Sequence, residues 1–254
     1  MPDRFSVSGT AVVTGASSGI GRAVAERFAA DGADVVVCSR EQENVDPVAE
    51  GIREDGGSAL AVECDVTDRD AVDALIEATV EEFGGLDVLV NNAGASFVAG
   101  FDDISPNGWD TIMDVNLGGT YHCTHAAAEH LKDGGGAVVN VASVAGQEGA
   151  PYMSHYAAAK AAIINLSRTL AIEWADDDVR VNCIAPGFVA TPGLEAQMGV
   201  SADDVDRVEV DRRIGVSEEI ADAVRFLASP AASFVVGETL TAGGVPQGEE
   251  VPSP

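Results

Sequence analysis

Lysine is almost missing from this chain: Lys132 and Lys160 are the only two in 254 residues, and Lys and Arg together number 14 against 42 Asp and Glu. The resulting formal net charge of −28 repels phosphate-rich partners, which argues against a nucleic-acid-binding role. Cysteine is scarce as well. The four present, Cys38, Cys64, Cys123 and Cys183, are scattered through largely apolar runs without Cys-x-x-Cys spacing, so reduced, packed thiols are expected rather than a disulfide framework. His122 and His125 share a helical face, but no nearby cysteine or histidine completes a metal site, and none is expected. No leader segment is read, and no apolar run is long enough to cross a membrane. A cytoplasmic protein without membrane partners is therefore expected.

Apolar residues, in contrast, make up 46% of the chain, too many for a disordered acidic protein. The charge is better explained as adaptation to a salt-rich cytoplasm, where the Debye length falls to about 3 Å at 1 M. Strand-like runs fall near 10–14, 34–38, 58–63, 86–90, 136–142, 178–184 and 235–240. Helical patterns fall near 20–30, 47–55, 68–83, 107–130, 155–175 and 217–228. This alternation, without linker or repeat, predicts one α/β domain over residues 1–254, a doubly wound parallel sheet of about seven strands with helices on both faces. Ligands bind such a sheet at the C-terminal ends of its strands.

Two motifs converge on that edge. Thr10–Thr14 feeds Gly15-Ala-Ser17-Ser18-Gly19-Ile20-Gly21 and then a helix, a phosphate-binding arrangement in which glycines let the backbone approach and the helix N-terminus favours negative charge. Further on, Tyr156 and Lys160 stand four apart in an alanine-rich run and share a helical face, so the ammonium can lie beside the phenol and favour its ionisation. Ser143, at the end of the strand run 136–142, offers a hydroxyl to the same substrate oxygen. These groups suit proton transfer at a carbonyl or carbinol.

Together with Asp65-Val66, Asn91-Asn92-Ala93-Gly94, Asn116, and Pro186-Gly187 with Thr191, these segments resemble the short-chain dehydrogenase/reductase family from about Gly9 to Gly244. The chain looks like a 3-oxoacyl reductase-like or secondary-alcohol dehydrogenase member from a salt-adapted, haloarchaeal-type organism. The resemblance implies a Rossmann-like fold and a catalytic group of Asn116, Ser143, Tyr156 and Lys160. In it Tyr156 exchanges the proton, Ser143 positions the substrate oxygen, Lys160 tunes the phenol and binds the nicotinamide ribose, and Asn116 holds a water through its main chain. It also implies that the cofactor is held by Gly15, Ser17, Ser18, Gly19, Ile20, Gly21, Ser39, Arg40, Asp65, Val66, Asn92, Ala93, Gly94, Tyr156, Lys160, Pro186, Gly187, Val189 and Thr191.

At the end of the second strand run stand Ser39 and Arg40, where a carboxylate would bind the ribose hydroxyl of NAD. Arg40 offers a planar fork to a 2′-phosphate, so NADP(H) is preferred and NAD(H) remains possible. Ser18 stands where many NADP-using relatives carry a basic residue, and Glu41 and Glu43 partly offset Arg40. The substrate is expected against Ser96, Phe97, Gln147, Tyr152, Met153 and Phe188, with Met198 adding to a partly apolar pocket and residues 188–215 forming a lid. Gln147 resembles acyl-thioester reductases of the family, and Arg207, Arg212 and Arg213 are the nearby cations. The expected reaction is hydride transfer between nicotinamide and a ketone or secondary alcohol. A 3-oxoacyl-thioester reductase, a sugar dehydrogenase and a non-catalytic cofactor-binding regulator are the alternatives. The resemblance implies a homotetramer built through the helices near 107–130 and 155–175 and the last strand. Ala242 replaces the family's usual acidic residue there, and the tail near 246–254 reads as loose.

Overall fold

The computed structural model describes residues 3–208 and 213–245, with the side chains of residues 197 and 198 outside that description. In chain order the elements begin β1 (Thr10–Thr14), α1 (Gly19–Asp31), β2 (Asp34–Ser39), α2 (Gln42–Glu54), β3 (Ser58–Glu63), α3 (Arg69–Phe83) and β4 (Val88–Asn91). They continue with α4 (Pro106–Met113), α5 (Gly119–Lys132), β5 (Gly136–Val141), α6 (Ser154–Glu173) and β6 (Val179–Pro186). The last are β7 (Val189–Ala190), α7 (Pro192–Met198), β8 (Gly215–Val216), α8 (Ser217–Ala228) and β9 (Thr239–Ala242). Seven strands form one parallel sheet in the order β3-β2-β1-β4-β5-β6-β9, and β7 pairs with β8 as a separate parallel ribbon. The order reverses between β1 and β4, which places a ligand crevice at their C-terminal ends.

Strand alternation builds two cores. Val13, Val37, Val90 and Val139 cluster with Val24 and Phe28 of α1, Val45 and Val48 of α2, and Val224 and Leu227 of α8. Their neighbours Val12, Val36, Leu89, Val138 and Val181 cluster on the other face with Leu75 of α3, Cys123 and Leu131 of α5, and Trp174. Each large side chain buried in this way contributes about 1.5–3 kcal/mol of transfer free energy.

Cations fasten the periphery. Arg225 makes a bidentate pair with Asp31 at 2.6 and 2.7 Å, joining α8 to the end of α1. Lys132 reaches Asp177 at 2.8 Å and lies 5.0 Å from the Trp174 ring centroid. The Arg180 guanidinium donates to the carbonyls of Leu227, Ala228, Ser229 and Ala232 at 2.6–3.3 Å, closing the C-terminal end of α8 onto β6.

Several boundaries differ from the sequence expectation. Helix α2 starts five residues before Pro47, because Gln42 anchors its first turn on Glu63, Asp46 and the Ala61 carbonyl. The helix expected over 107–130 is divided by a π turn at Asp114–Gly118. The last strand is Thr239–Ala242 rather than 235–240, since it must pair with Cys183–Pro186. Within the expected lid lie α7 and the β7–β8 pair, and the acidic piece after Ser201 is helical only as a short 3-10 turn at Ala202–Asp204. The tail 246–254 and residues 209–212 lie outside the described residues.

Candidate active site

The glycine turn between β1 and α1 is held from across the sheet. Asn92, just past β4, donates through Nδ2 to the carbonyls of Thr14 and Gly15 at 2.9 and 3.0 Å. Thr14 Oγ1 in turn accepts from the N–H groups of Asn92 and Ala93, both at 3.0 Å. Gly21 must be glycine, because a Cβ there would fall 2.4 Å from Asn92 Nδ2 and 2.5 Å from the Gly15 carbonyl. Ser18 is the N-cap of α1 but its side chain caps nothing, which leaves the first amide groups of the helix for a ligand. Ser17 and Ile20 are half-buried beside it. Across the crevice, Thr191 lies against Gly19 and caps α7 through the Leu194 amide, while the Gly187 amide bonds the Ala242 carbonyl and Val189 is buried.

On the adenosine side, Ser39 Oγ donates to the Glu41 carbonyl at 3.0 Å. Arg40 is exposed and makes no ion pair or side-chain hydrogen bond among the described residues. Asp65 turns its carboxylate onto Thr67, and His122 Nδ1 lies 3.0 Å from the Val66 carbonyl. His122 thus braces the segment expected to meet the cofactor. Among the described residues no group of three or more His, Cys, Asp or Glu could hold a metal ion.

The catalytic candidates come together at the ends of β5 and β4. Ser143 follows β5, where its Oγ accepts from the Ala145 amide at 3.2 Å, and its hydroxyl favours ionisation of the Tyr156 phenol on the first turn of α6. Lys160, one turn on, donates from Nζ to the Val141 carbonyl at 2.8 Å and lies 5.5 Å from the Tyr156 ring centroid. The π turn carries Asn116, whose Nδ2 donates to the Ala95 and Ile112 carbonyls at 2.8 Å while its buried Oδ1 has no protein partner. Its main-chain carbonyl accepts from Thr120 Oγ1 at 2.7 Å. A Cβ on Gly94 would sit 2.8 Å from Asn116 Oδ1 and 3.5 Å from Lys160 Nζ, so Gly94 keeps open the space between them.

The electrostatics differ from the sequence expectation. Burial pushes the Tyr156 phenol up, and the Ser143 hydroxyl partly counters this, with Lys160 adding no resolved pull. Burial likewise lowers the Lys160 ammonium from 10.5 to about 8, against a small opposing effect of Cys183. Lys160 is engaged with the backbone, and in this structure the phenol is a proton donor at neutral pH.

Beneath the site a buried polar chain crosses the sheet. Thr124 accepts from Asn91 at 2.9 Å, Asn91 donates to Asn140 at 2.8 Å, and Asn140 donates to Ser167 at 2.7 Å. These partners ally α5, β4, β5 and α6. Sequence reading singled out Asn91 but missed Thr124, Asn140 and Ser167, whose only signal was a polar residue inside an apolar run.

Of the expected substrate residues, Phe97 and Tyr152 belong to segments joined by the Ala99 amide and the Tyr152 carbonyl at 3.0 Å. Tyr152 is exposed in the left-handed region at φ 64°, Ser96 and Phe188 are exposed, and Met153 is the half-buried N-cap of α6. Gln147 is turned toward the last strand, where its Oε1 accepts from Thr241 at 3.0 Å. The Met198 side chain and Arg212 lie outside the described part.

The crevice suits a dinucleotide: a glycine cradle that a Cβ would fill, uncapped amides at the start of α1, and an orphaned amide oxygen on Asn116 beside Lys160. Comparison with known proteins agrees. A family model described as enoyl-(acyl carrier protein) reductase matches residues 15–244. The chain is 42% identical to the short-chain reductase protein NovJ of Streptomyces niveus, with 92% of each chain covered. It is 44% identical to cis-4-hydroxycyclohexanecarboxylate dehydrogenase of Sinomonas cyclohexanicum (92% of this chain, 94% of the other), and 40% identical to 3-oxoacyl-[acyl-carrier-protein] reductase of Synechocystis (92% and 95%). A crystal structure of a short-chain type dehydrogenase/reductase from Mycobacterium marinum superposes with a TM-score of 0.87 at 33% identity, covering 95% of this chain and 97% of that one. The chain belongs to the short-chain dehydrogenase/reductase family and is an oxidoreductase of alcohols and ketones.

Proposed function

We propose that the protein is an NADP(H)-dependent oxidoreductase that interconverts a ketone and a secondary alcohol through Ser143, Tyr156, Lys160 and Asn116. The observation that carries this reading is the convergence of Ser143, at the end of β5, with the Tyr156 phenol and buried Lys160, whose Nζ lies 5.5 Å from the Tyr156 ring centroid. When bound, the nicotinamide supplies or accepts the hydride. In reduction, Tyr156 gives its phenolic proton to the carbonyl oxygen, and Ser143 donates a hydrogen bond to the same oxygen. Lys160, its Nζ 5.5 Å from the Tyr156 ring centroid, is the cation that faces the phenolate as it forms. Asn116 carries the proton path onward to solvent by holding a water at the π turn.

Preference for NADP(H) over NAD(H) is supported by Arg40 at the end of β2, where no carboxylate occupies the strand end. The Synechocystis relative, a 3-oxoacyl reductase by name, favours a 3-oxoacyl thioester as the second candidate substrate. A homotetramer in a salt-rich cytoplasm completes the reading. Its support is the exposed apolar side chains on and just before β9, Phe234 fully exposed with Val236 41% and Leu240 38% exposed, together with the charge of −28. No helix among the described residues is long and apolar enough to cross a membrane. Residues 188–215 are assigned as the substrate lid, all within one domain.

Turnover of simple ketones, sugars and 3-oxoacyl-CoA, assayed in multimolar KCl with NADPH and NADH, tests the assignment. Failure with every carbonyl would reject it.

A further inference from the structure

The first turn of α6 holds polar groups that the reaction just described does not use. The N-cap, Met153, supplies no side-chain hydrogen bond, and no acidic residue stands in the first turn. The Ala157 amide is the one that reaches back to the Met153 carbonyl, at 2.8 Å. The amides before it are the unpaired donors that every helix start presents. Beside them Ser154 Oγ and both ring nitrogens of His155 are buried without a partner. His155 is 0% exposed, and an imidazole in any protonation state carries at least one N–H, so the ring is buried with a donor that has no acceptor. The Phe97 ring covers it edge-on at 4.2 Å between centroids. Phe97 is itself 36% exposed, on the segment that runs on from Gly94 and is tied to Tyr152, four residues before Tyr156.

A helix start with open amides, an orphaned hydroxyl and an orphaned imidazole behind a solvent-facing aromatic ring form a set of donors without an acceptor. We propose that this turn is a subsite for a second hydrogen-bond acceptor on the substrate, a carbonyl or carboxylate oxygen beyond the reacting ketone, which His155 and Ser154 bind once Phe97 is displaced. This rests on the ketone reductase reading and narrows its substrate class to oxo acids, oxo esters and oxo thioesters.

The chain has four histidines, so ring-labelled protein gives a countable set of imidazole resonances, and His155→Gln identifies the one lost. With NADP+ present, so that nothing is reduced, the enzyme is titrated separately with acetoacetate, ethyl acetoacetate and 2-hexanone. Acetoacetate or its ester should shift the His155 resonance, and 2-hexanone should not; response to the ester alone would mark a neutral carbonyl site, and response to the acid alone an anionic one. No shift with either, or an equal shift with 2-hexanone, overturns the proposal. This readout needs no turnover, so it stands apart from failure of the reductase reading. In reduction assays, His155→Leu should lower the ratio of kcat/KM for ethyl acetoacetate over 2-hexanone by about tenfold or more, and His155→Gln should restore part of it. An unchanged ratio in folded His155→Leu would also overturn it.

Discussion

Lys160 Nζ donates to the carbonyl oxygen of Val141 across 2.8 Å, which ties the ammonium to the strand that ends at Ser143 and to no carboxylate. The charge is held by a backbone dipole in a buried place, and burial lowers it to about 8.

The sign of the resulting pH dependence follows directly. The unfolded chain holds this proton up to 10.5 and the folded chain only to about 8, so Lys160 opposes folding fully below 8. Its penalty fades as pH rises toward 10.5. Lys160→Met should therefore be more stable than the parent at pH 7, by on the order of 3 kcal/mol, and the advantage should vanish by about pH 10.5. Urea unfolding of both proteins from pH 7 to 11 measures it. A difference independent of pH would show that the ammonium is not depressed.

Removal of the phenolic hydroxyl separates chemistry from binding. Tyr156→Phe should keep the fold and NADPH binding and lose turnover by about 10²–10⁴ or more, the usual worth of a positioned acid. Single-turnover assays with cofactor fluorescence would check both halves. Activity close to the parent would remove Tyr156 from the mechanism.

Selectivity between the two cofactors should lie at the end of β2. Ser39→Asp combined with Arg40→Ala places a carboxylate where it accepts ribose hydroxyls and repels a phosphate. The ratio of kcat/KM for NADPH over NADH should fall at least tenfold. An unchanged ratio would locate the selectivity elsewhere.

Salt should stabilise the protein. With −28 on each chain, dilute buffer leaves acidic surfaces repelling over tens of Å, so Tm should rise along a KCl series. NADPH affinity should hold steady or improve along the same series, because the global field outweighs one exposed arginine. Equal stability in dilute buffer, or affinity that falls steeply with salt, would contradict a salt-adapted surface.

The strands, the glycine turn and the Ser143, Tyr156 and Lys160 positions were legible because each is a local pattern: period two, a glycine spacing, a helical i,i+4 pair. Other features depend on what packs from far away in sequence. Nothing near Asn116 announces the π turn, from which its amide reaches the Ala95 and Ile112 carbonyls. The i,i+4 spacing predicted a lysine aimed at its tyrosine, yet Val141, 19 residues earlier, competes for the ammonium. Gln147 was read as facing substrate, and Thr241, 94 residues away, holds its oxygen.

The Arg180 guanidinium at the end of α8 sets a limit on how far a chain like this one can be acidified. Four carbonyls converge on that single cation, and a shorter or neutral side chain would strand them without donors. Arg225 on Asp31 and Lys132 over Trp174 stand in similar places. These three positive residues are rivets. Acidic substitution can spread freely over the solvent face, but each further loss among these would open a joint that no concentration of potassium can close.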